Sequence, residues 1–200
     1  MQPSTLIRNL YLPVQPTVKA TADKVIYREF LPTKNLQSVI YCYWALKTTQ
    51  PLKEPFVYRV VSDGCIDIFF ELERPALSSV MGFCKKYTQF PLDHSFHFIG
   101  VRFLPTMFPQ LFGVPASTLA NQALDLKTVL PETATFIQQC FPAQQKMVEI
   151  IPQLDAYFLK KLAGCNFDND GRLYEAIAII LKNYGVLNIE NLLWGRWQIF

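Results

Sequence analysis

No apolar stretch of this chain approaches the ~20 residues that a membrane-spanning helix needs. The opening segment, MQPSTLIRNLYLPVQP, has no uninterrupted apolar run of the secretory kind, so a signal peptide is not expected. Histidine is scarce: only His94 and His97 occur, three apart. On a strand that spacing places them on opposite faces, no H-x-H pair exists, and a metal site is not expected. The five cysteines are odd in number and widely separated, without a C-x-x-C pair. That argues against a zinc site of this type and for buried free thiols in a reducing compartment. Neither G-x-G-x-x-G nor G-x-x-x-x-G-K-[ST] is present, so a nucleotide has no foothold. The G-x-S-x-G elbow is also missing, and nothing local joins Cys65 or Cys84 to a histidine as a nucleophile pair. No cofactor, no catalytic residue and no enzymatic activity are therefore expected. Charge is nearly balanced, with 19 Lys and Arg against 16 Asp and Glu, a net of +3. A self-sufficient DNA-binding domain usually carries a concentrated basic stripe. Here Lys85–Lys86 and Lys160–Lys161 are short pairs suited to a solvated surface.

What the chain does have is apolar material. Half of its residues are hydrophobic and 14% are aromatic, enough for a substantial core and too much for a disordered chain. Its 200 residues suit one well-buried domain with a smaller appendage. Residues 1–24 carry three prolines and little periodicity and read as an N-terminal arm. Short runs rich in Val, Ile, Phe and Tyr then predict strands at Ile26–Phe30, Val39–Leu46, Val57–Val61, Cys65–Leu72, Ser79–Thr88 and His97–Leu104. Asp63–Gly64 lies between two of these runs and predicts a hairpin over Val57–Leu72, because an Asp-Gly pair readily adopts the positive φ of a tight turn.

The second half has helical character. Pro115–Ala120 and Leu126–Leu130 read as short helices. Apolar residues at helical spacing follow: first Phe136, Ile137, Cys140 and Phe141, then a stretch from Met147 to Leu162, with Pro142 and Pro152 expected to break or kink it. Gly164 suits a helix stop. Asp170 suits an N-cap for a helix with the stripe Leu173, Ile177, Ile180, Leu181 and Tyr184, which Gly185 ends. Asn188 would cap a further helix beginning at Ile189–Leu193. Strands followed by helices give an α+β class: an antiparallel β-rich, barrel- or cupin-like domain and then helices. The expected divisions are 1–24 (arm), 25–131 (β-rich domain), 132–166 (linking or dimerisation helices) and a last segment, 170–200.

Two strands carry the candidate site. In CIDIFFEL, Ile66, Ile68, Phe70 and Leu72 share one face, while Cys65, Asp67, Phe69 and Glu71 share the other. The first face is core. The second is either a solvent-facing row or a pocket lining. In FIGVRFLPTMFPQLFG, Arg102 interrupts an apolar strand, opposite in direction to Val101 and Phe103. An arginine there needs an acceptor. Asp67 or Glu71 would serve across the sheet, and so would an anionic ligand gripped by two hydrogen bonds. The aromatics Tyr41, Tyr43, Trp44, Phe69, Phe83 and Phe90 form core or wall an apolar pocket. The candidate ligand-binding set is Trp44, Asp67, Phe69, Glu71 and Arg102.

The order YREFLP, VIYCYWAL, RVVSDGCIDIFFEL, FIGVRFLPTMFPQLFGVPASTLANQALDLKTVLP resembles the domain that precedes the helix-turn-helix region in one group of AraC-type transcription regulators. The shared features are Tyr43–Trp44, then Asp63, Gly64, Asp67, Ile68 and Phe70, then Gly100–Phe103, Pro105 and Leu111–Pro115, and finally Asp125–Leu126. Where the family usually has Pro-Gly-Gly, this chain has Pro105–Thr106–Met107. Ser62 stands where Pro or Ala is frequent. The resemblance covers roughly residues 26–131. It implies a bacterial, cytoplasmic sensor domain that binds an unknown small-molecule effector, forms a homodimer and touches no membrane. It also implies that residues 170–200 begin a helix-turn-helix whose base-reading second helix is incomplete here, so that DNA is bound only by a full-length form. Two rival readings remain: a stand-alone small-molecule-binding cupin-like domain, and a truncated regulator that acts by heterodimerisation.

Overall fold

A computed structural model describes residues 3–13, 24–143, 145–165, 167 and 171–187. The chain divides into two units, residues 13–166 and residues 1–12 with 167–200. Asp170, Asn188, the expected helix at Ile189–Leu193 and the rest of the expected helix-turn-helix lie outside the described residues.

The larger unit is α+β, as expected. Its strands are β1 (Val25–Phe30), β2 (Ile40–Thr48), β3 (Phe56–Val60), β4 (Ile66–Glu71), β5 (Arg74–Met81), β6 (Thr88–Leu92), β7 (His97–Phe103) and β8 (Ala123–Asp125). Six form one antiparallel sheet in the order β1-β2-β7-β4-β5-β8, and β3 pairs with β6 in a separate two-stranded ribbon. The sheet is open, with β1 and β8 as its edges, so the barrel-like closure expected from the sequence does not occur. The hairpin expected over Val57–Leu72 is also not formed. Gly64 does take the predicted positive φ of 74°. The turn instead hands the chain from the ribbon to the sheet, because β3 pairs with β6 while β4 pairs with β5 and β7. The strand expected at Ser79–Thr88 resolves into the end of β5 and, after a break, the start of β6.

Alternation divides the sheet into two unlike faces. On one face Ile68, Phe70, Val80, Ile99, Val101 and Phe103 are completely buried. Burial of a large apolar side chain contributes about 1.5–3 kcal/mol, so this face is a major source of stability. Its cover is helical: α2 (Met107–Phe112), α3 (Leu126–Val129), α4 (Pro131–Cys140) and α5 (Met147–Ala163). Phe70 stacks on Phe141 with centroids 5.3 Å apart, and Phe103 meets Phe108, Phe112 and Phe158 edge-on at 5.4–5.7 Å. Tyr43 donates from its hydroxyl to Asp155 on α5 at 2.8 Å, and the Thr33 amide donates to the same carboxylate. The opposite face is covered by the ribbon, whose Tyr58 and Val60 pack with Cys42, Trp44 and Leu46.

Local chemistry sets the helix ends. Asp125 caps α3 by accepting from the Lys127 amide at 2.7 Å. Pro131 opens α4, where its missing N–H costs nothing, and α4 stops two residues before Pro142. Of the break or kink expected at Pro152, the break does not occur: Pro152 lies inside a continuous helix. The carbonyl its missing N–H leaves over belongs to Val148, a solvent-exposed position. Gly164 ends α5 as foreseen. Ahead of α2, Thr106 takes a φ of 71°, a left-handed conformation unusual for a β-branched residue.

In the smaller unit α1 (Pro3–Leu10) packs with α6 (Gly171–Lys182), so part of the expected arm is helical. The buried side of α6 is Tyr174, Ile177 and Ala178. The expected stripe is therefore rotated, since Leu173, Ile180 and Tyr184 are exposed. Gly185 closes the end with a φ of 75°, its amide donating to the Ile180 carbonyl at 2.9 Å.

Candidate functional site

Register places the candidate residues in two adjoining rows on the ribbon-covered face. The first row crosses five strands: Cys42 on β2, Arg102 on β7, Asp67 on β4, Met81 on β5 and Ala123 on β8. The next row places Trp44 beside Gly100, and Gly100 beside Phe69. Gly100 lets these rows interact. A Cβ at Gly100 would lie 2.0–2.4 Å from atoms of the Trp44 indole. With no side chain in the way, the indole lies across β7 and donates from Nε1 to the Asp67 carboxylate on β4, 3.1 Å away. Such close passage of a large ring over a strand requires glycine beneath it.

Arg102 and Asp67 form a buried pair with fork geometry. Arg102 Nε lies 3.1 and 3.2 Å from the two Asp67 carboxylate oxygens, and Nη2 lies 2.9 Å from one of them. A second carboxylate, Asp63, stands 4.0 Å from Nε. It also accepts from the Cys65 amide at 3.0 Å, which fixes the turn at Gly64. Burial works against the charge on Arg102, yet Asp67 and Asp63 hold the guanidinium protonated far above its ordinary range. Burial pushes the Asp67 carboxyl up, against the downward pull of Arg102 and of the Trp44 N–H. The third guanidinium nitrogen, Nη1, is buried and donates to no acceptor among the described residues. An unmatched donor of this kind is rare in a protein interior.

Between this face and the ribbon lies a cavity of about 200 Å³. Its sheet side includes Trp44, Asp67, Phe69, Met81, Phe98 and Arg102, and its ribbon side includes Tyr58, Val60, Phe90 and Leu92. The walls are mostly apolar, and ring contacts link the residues of the sheet side. Trp44 stands 6.3 Å from both Tyr27 and Phe69, and Phe69 meets Phe98 edge-on at 6.1 Å. Tyr58 supplies a hydroxyl. Burial pushes it up to about 12, offset in part by the nearby positive charge of Arg102. The approach of Tyr58 to the guanidinium is not a hydrogen bond of ordinary geometry to Nη1.

Of the five residues singled out from the sequence, Trp44, Asp67, Phe69 and Arg102 line this cavity together. Glu71 does not. A register shift falls between Phe70 and Glu71, and the Glu71 carboxylate is engaged by Arg74, three residues on, at 2.6 Å. The segment ELER contains that pairing as a local signal. Sequence reasoning did not find Tyr58, which arrives from the ribbon, or the part played by Gly100. Phe90, noted among the aromatics, is a wall residue. His94 lies in an exposed turn with Nδ1 3.0 Å from the Leu52 carbonyl. His97 is half-buried on β7, where burial and the Lys47 charge lower its pKa. Among the described residues no group of three His, Cys, Asp or Glu side chains is placed to hold a metal ion, and no helix is long and apolar enough to cross a membrane.

Residues 28–125 match a family described as a domain of unknown function (DUF6597). The matched segment begins in β1 and ends with β8, so it contains every described residue that lines the cavity and stops just before α3. The chain matches no curated protein and no solved structure.

Proposed function

We propose that the β-rich part of this protein is the effector-binding domain of an AraC-type transcription regulator, and that the cavity between sheet and ribbon is its effector site. The observation that carries this reading is the cavity itself, an apolar chamber with one buried charged pair in its lining. Ligand sites generally combine apolar walls with a few placed polar groups. The motif resemblance points to the same location. Asp67 and Ile68 come from one motif and Gly100 to Phe103 from the other, and the pairing of β4 with β7 sets Asp67 beside Arg102 and Ile68 beside Val101. On this reading the domain binds and does not catalyse. The helices of residues 132–166 serve dimerisation. On the same reading the protein works in the cytoplasm.

A second reading draws on one further observation. Among the described residues, those that line the cavity all fall between Trp44 and Ala123, within the sheet and ribbon. That equally suits a stand-alone small-molecule-binding domain. Deleting the gene in its host and comparing transcripts separates the two. The regulator reading expects a small set of promoters to change, with restoration by the wild-type gene and not by Met81→Trp, which fills the cavity. Unchanged transcripts, or full restoration by a folded Met81→Trp protein, would overturn it.

A further inference from the structure

The reading of the cavity as an effector site leaves the effector open, and the chamber's own chemistry narrows it. Size comes first. A dry protein cavity of ~150 Å³ is known to take up benzene. At about 200 Å³ the present chamber has room for one ring with a short substituent. It falls below the ~300 Å³ at which drug-sized ligands begin to fit. The walls come next: Trp44, Phe69, Phe90 and Phe98 offer ring faces and edges to a flat apolar body.

The polar end is more selective. Among the described residues nothing accepts from Arg102 Nη1, and the Tyr58 hydroxyl belongs to the same lining. Both can donate to a single oxygen. Charge decides which kind of oxygen. The Arg102 guanidinium is already matched in a forked pair by Asp67, and Asp63 stands behind it at 4.0 Å. A ligand carboxylate would enter as a third negative group beside one positive one and would lose its hydration in doing so. A ketone, ester or amide oxygen accepts the same hydrogen bonds without that cost.

We propose that the cavity binds an uncharged molecule of single-ring size whose carbonyl oxygen accepts hydrogen bonds from Arg102 Nη1 and the Tyr58 hydroxyl, and that it discriminates against carboxylates of the same shape. This rests on the effector-site reading for its biological meaning but not for its test.

The test is calorimetric titration of the whole chain with three probes of similar size: acetophenone (neutral carbonyl), benzoate (carboxylate) and toluene (no acceptor). Acetophenone is expected to bind at least about tenfold more tightly than either of the others. Tyr58→Phe, which keeps the ring and removes the donor, is expected to weaken acetophenone about five- to tenfold, the value of one net hydrogen bond, and to leave toluene unchanged. Thermal melts confirm that the variant is folded. Benzoate binding as tightly as acetophenone would overturn the preference for neutral ligands. Equal binding of toluene, with no effect of Tyr58→Phe, would overturn the polar anchor. Failure of all three probes to bind would overturn the proposal altogether. None of these outcomes decides the regulator reading, which the transcript comparison judges separately.

Discussion

The two faces of the six-stranded sheet come from the same strands, residue by alternate residue, yet they follow different rules. Under the helices, Ile68, Phe70, Val80, Ile99, Val101 and Phe103 form an unbroken apolar field, fully buried and tied by ring contacts to α2, α5 and Phe141. Under the ribbon, the same strands present Trp44, Gly100, Asp67 and Arg102 around a cavity. A buried ion pair is weak support for stability, since a pair of apolar residues of similar volume often serves as well or better. Evolution of a core alone would have no need of Arg102. Its presence opposite a fully apolar face fits the proposal that one side of the sheet holds the domain together while the other holds a ligand.

Substitutions on the two faces should therefore fail in different ways, and the largest effects test this most directly. Phe103→Ala is expected to cost about 3–5 kcal/mol, the range for removing a large aromatic from a core. Arg102→Met should cost a similar amount, about 3–5 kcal/mol, because it strands the Asp67 carboxylate. The distinction lies in pH. Asp67 without its partner keeps the burial that raises its pKa. A folded-state pKa above the unfolded value favours folding below the unfolded pKa, and that advantage is lost as pH rises through the folded pKa. Relative to wild type at each pH, the Arg102→Met deficit should shrink as pH falls toward the unfolded aspartate value of ~3.9, while the Phe103→Ala deficit stays constant. Adding Asp67→Leu to Arg102→Met should recover most of the loss at neutral pH. Urea denaturation at several pH values measures all three. Equal pH dependence in both single variants would erase the contrast between the faces.

Gly100→Ala comes next in size. The added methyl would fall 2.0–2.4 Å from the Trp44 indole, so the ring must move. Overpacking of this kind costs about 1–3 kcal/mol. The consequence specific to the ribbon face is that the indole leaves Asp67, to which it now donates at 3.1 Å. Trp44 fluorescence, read against a Trp44→Phe control, should shift in Gly100→Ala, and acetophenone binding should fall even where the protein remains folded. A variant with unaltered emission and wild-type binding would show that Trp44 does not depend on the gap at Gly100.

The alternation that separates the faces was legible in the sequence because it is local. CIDIFFEL and FIGVRF display it residue by residue, and it correctly set Asp67, Phe69 and Arg102 opposite Ile68, Phe70 and Val101. What covers each face was not legible. The ribbon joins Phe56–Val60 to Thr88–Leu92 across two intervening strands, and Pro91 within β6 obscures it as a strand. Asp63–Gly64 gave a true local signal, a positive φ, whose non-local consequence was misread, since a tight turn does not say which strand the chain pairs with next. Gly100 escaped notice for the same reason. Its use appears only once register sets it beside Trp44.

The smallest expected effect lies on the helix-covered face and has the opposite sign. Thr106 holds a φ of 71° at the start of α2, the helix whose Phe108 and Phe112 close over Phe103. The left-handed region costs a non-glycine residue roughly 1–2 kcal/mol, whereas glycine enters it freely and gives back part of that gain through the entropy of its unfolded chain. In the regulator pattern that this segment resembles, Pro-Gly-Gly puts glycine at this position. Thr106→Gly should therefore stabilise the protein by up to about 1 kcal/mol. It also removes a weak contact from Gln110 Nε2 to the Thr106 hydroxyl at 3.4 Å, which limits the gain. Because α2 covers the face away from the cavity, the higher melting temperature should leave acetophenone affinity untouched. A change in affinity would mean that the two faces are coupled through β7, and that the division of labour between them is less complete than the packing of their residues implies.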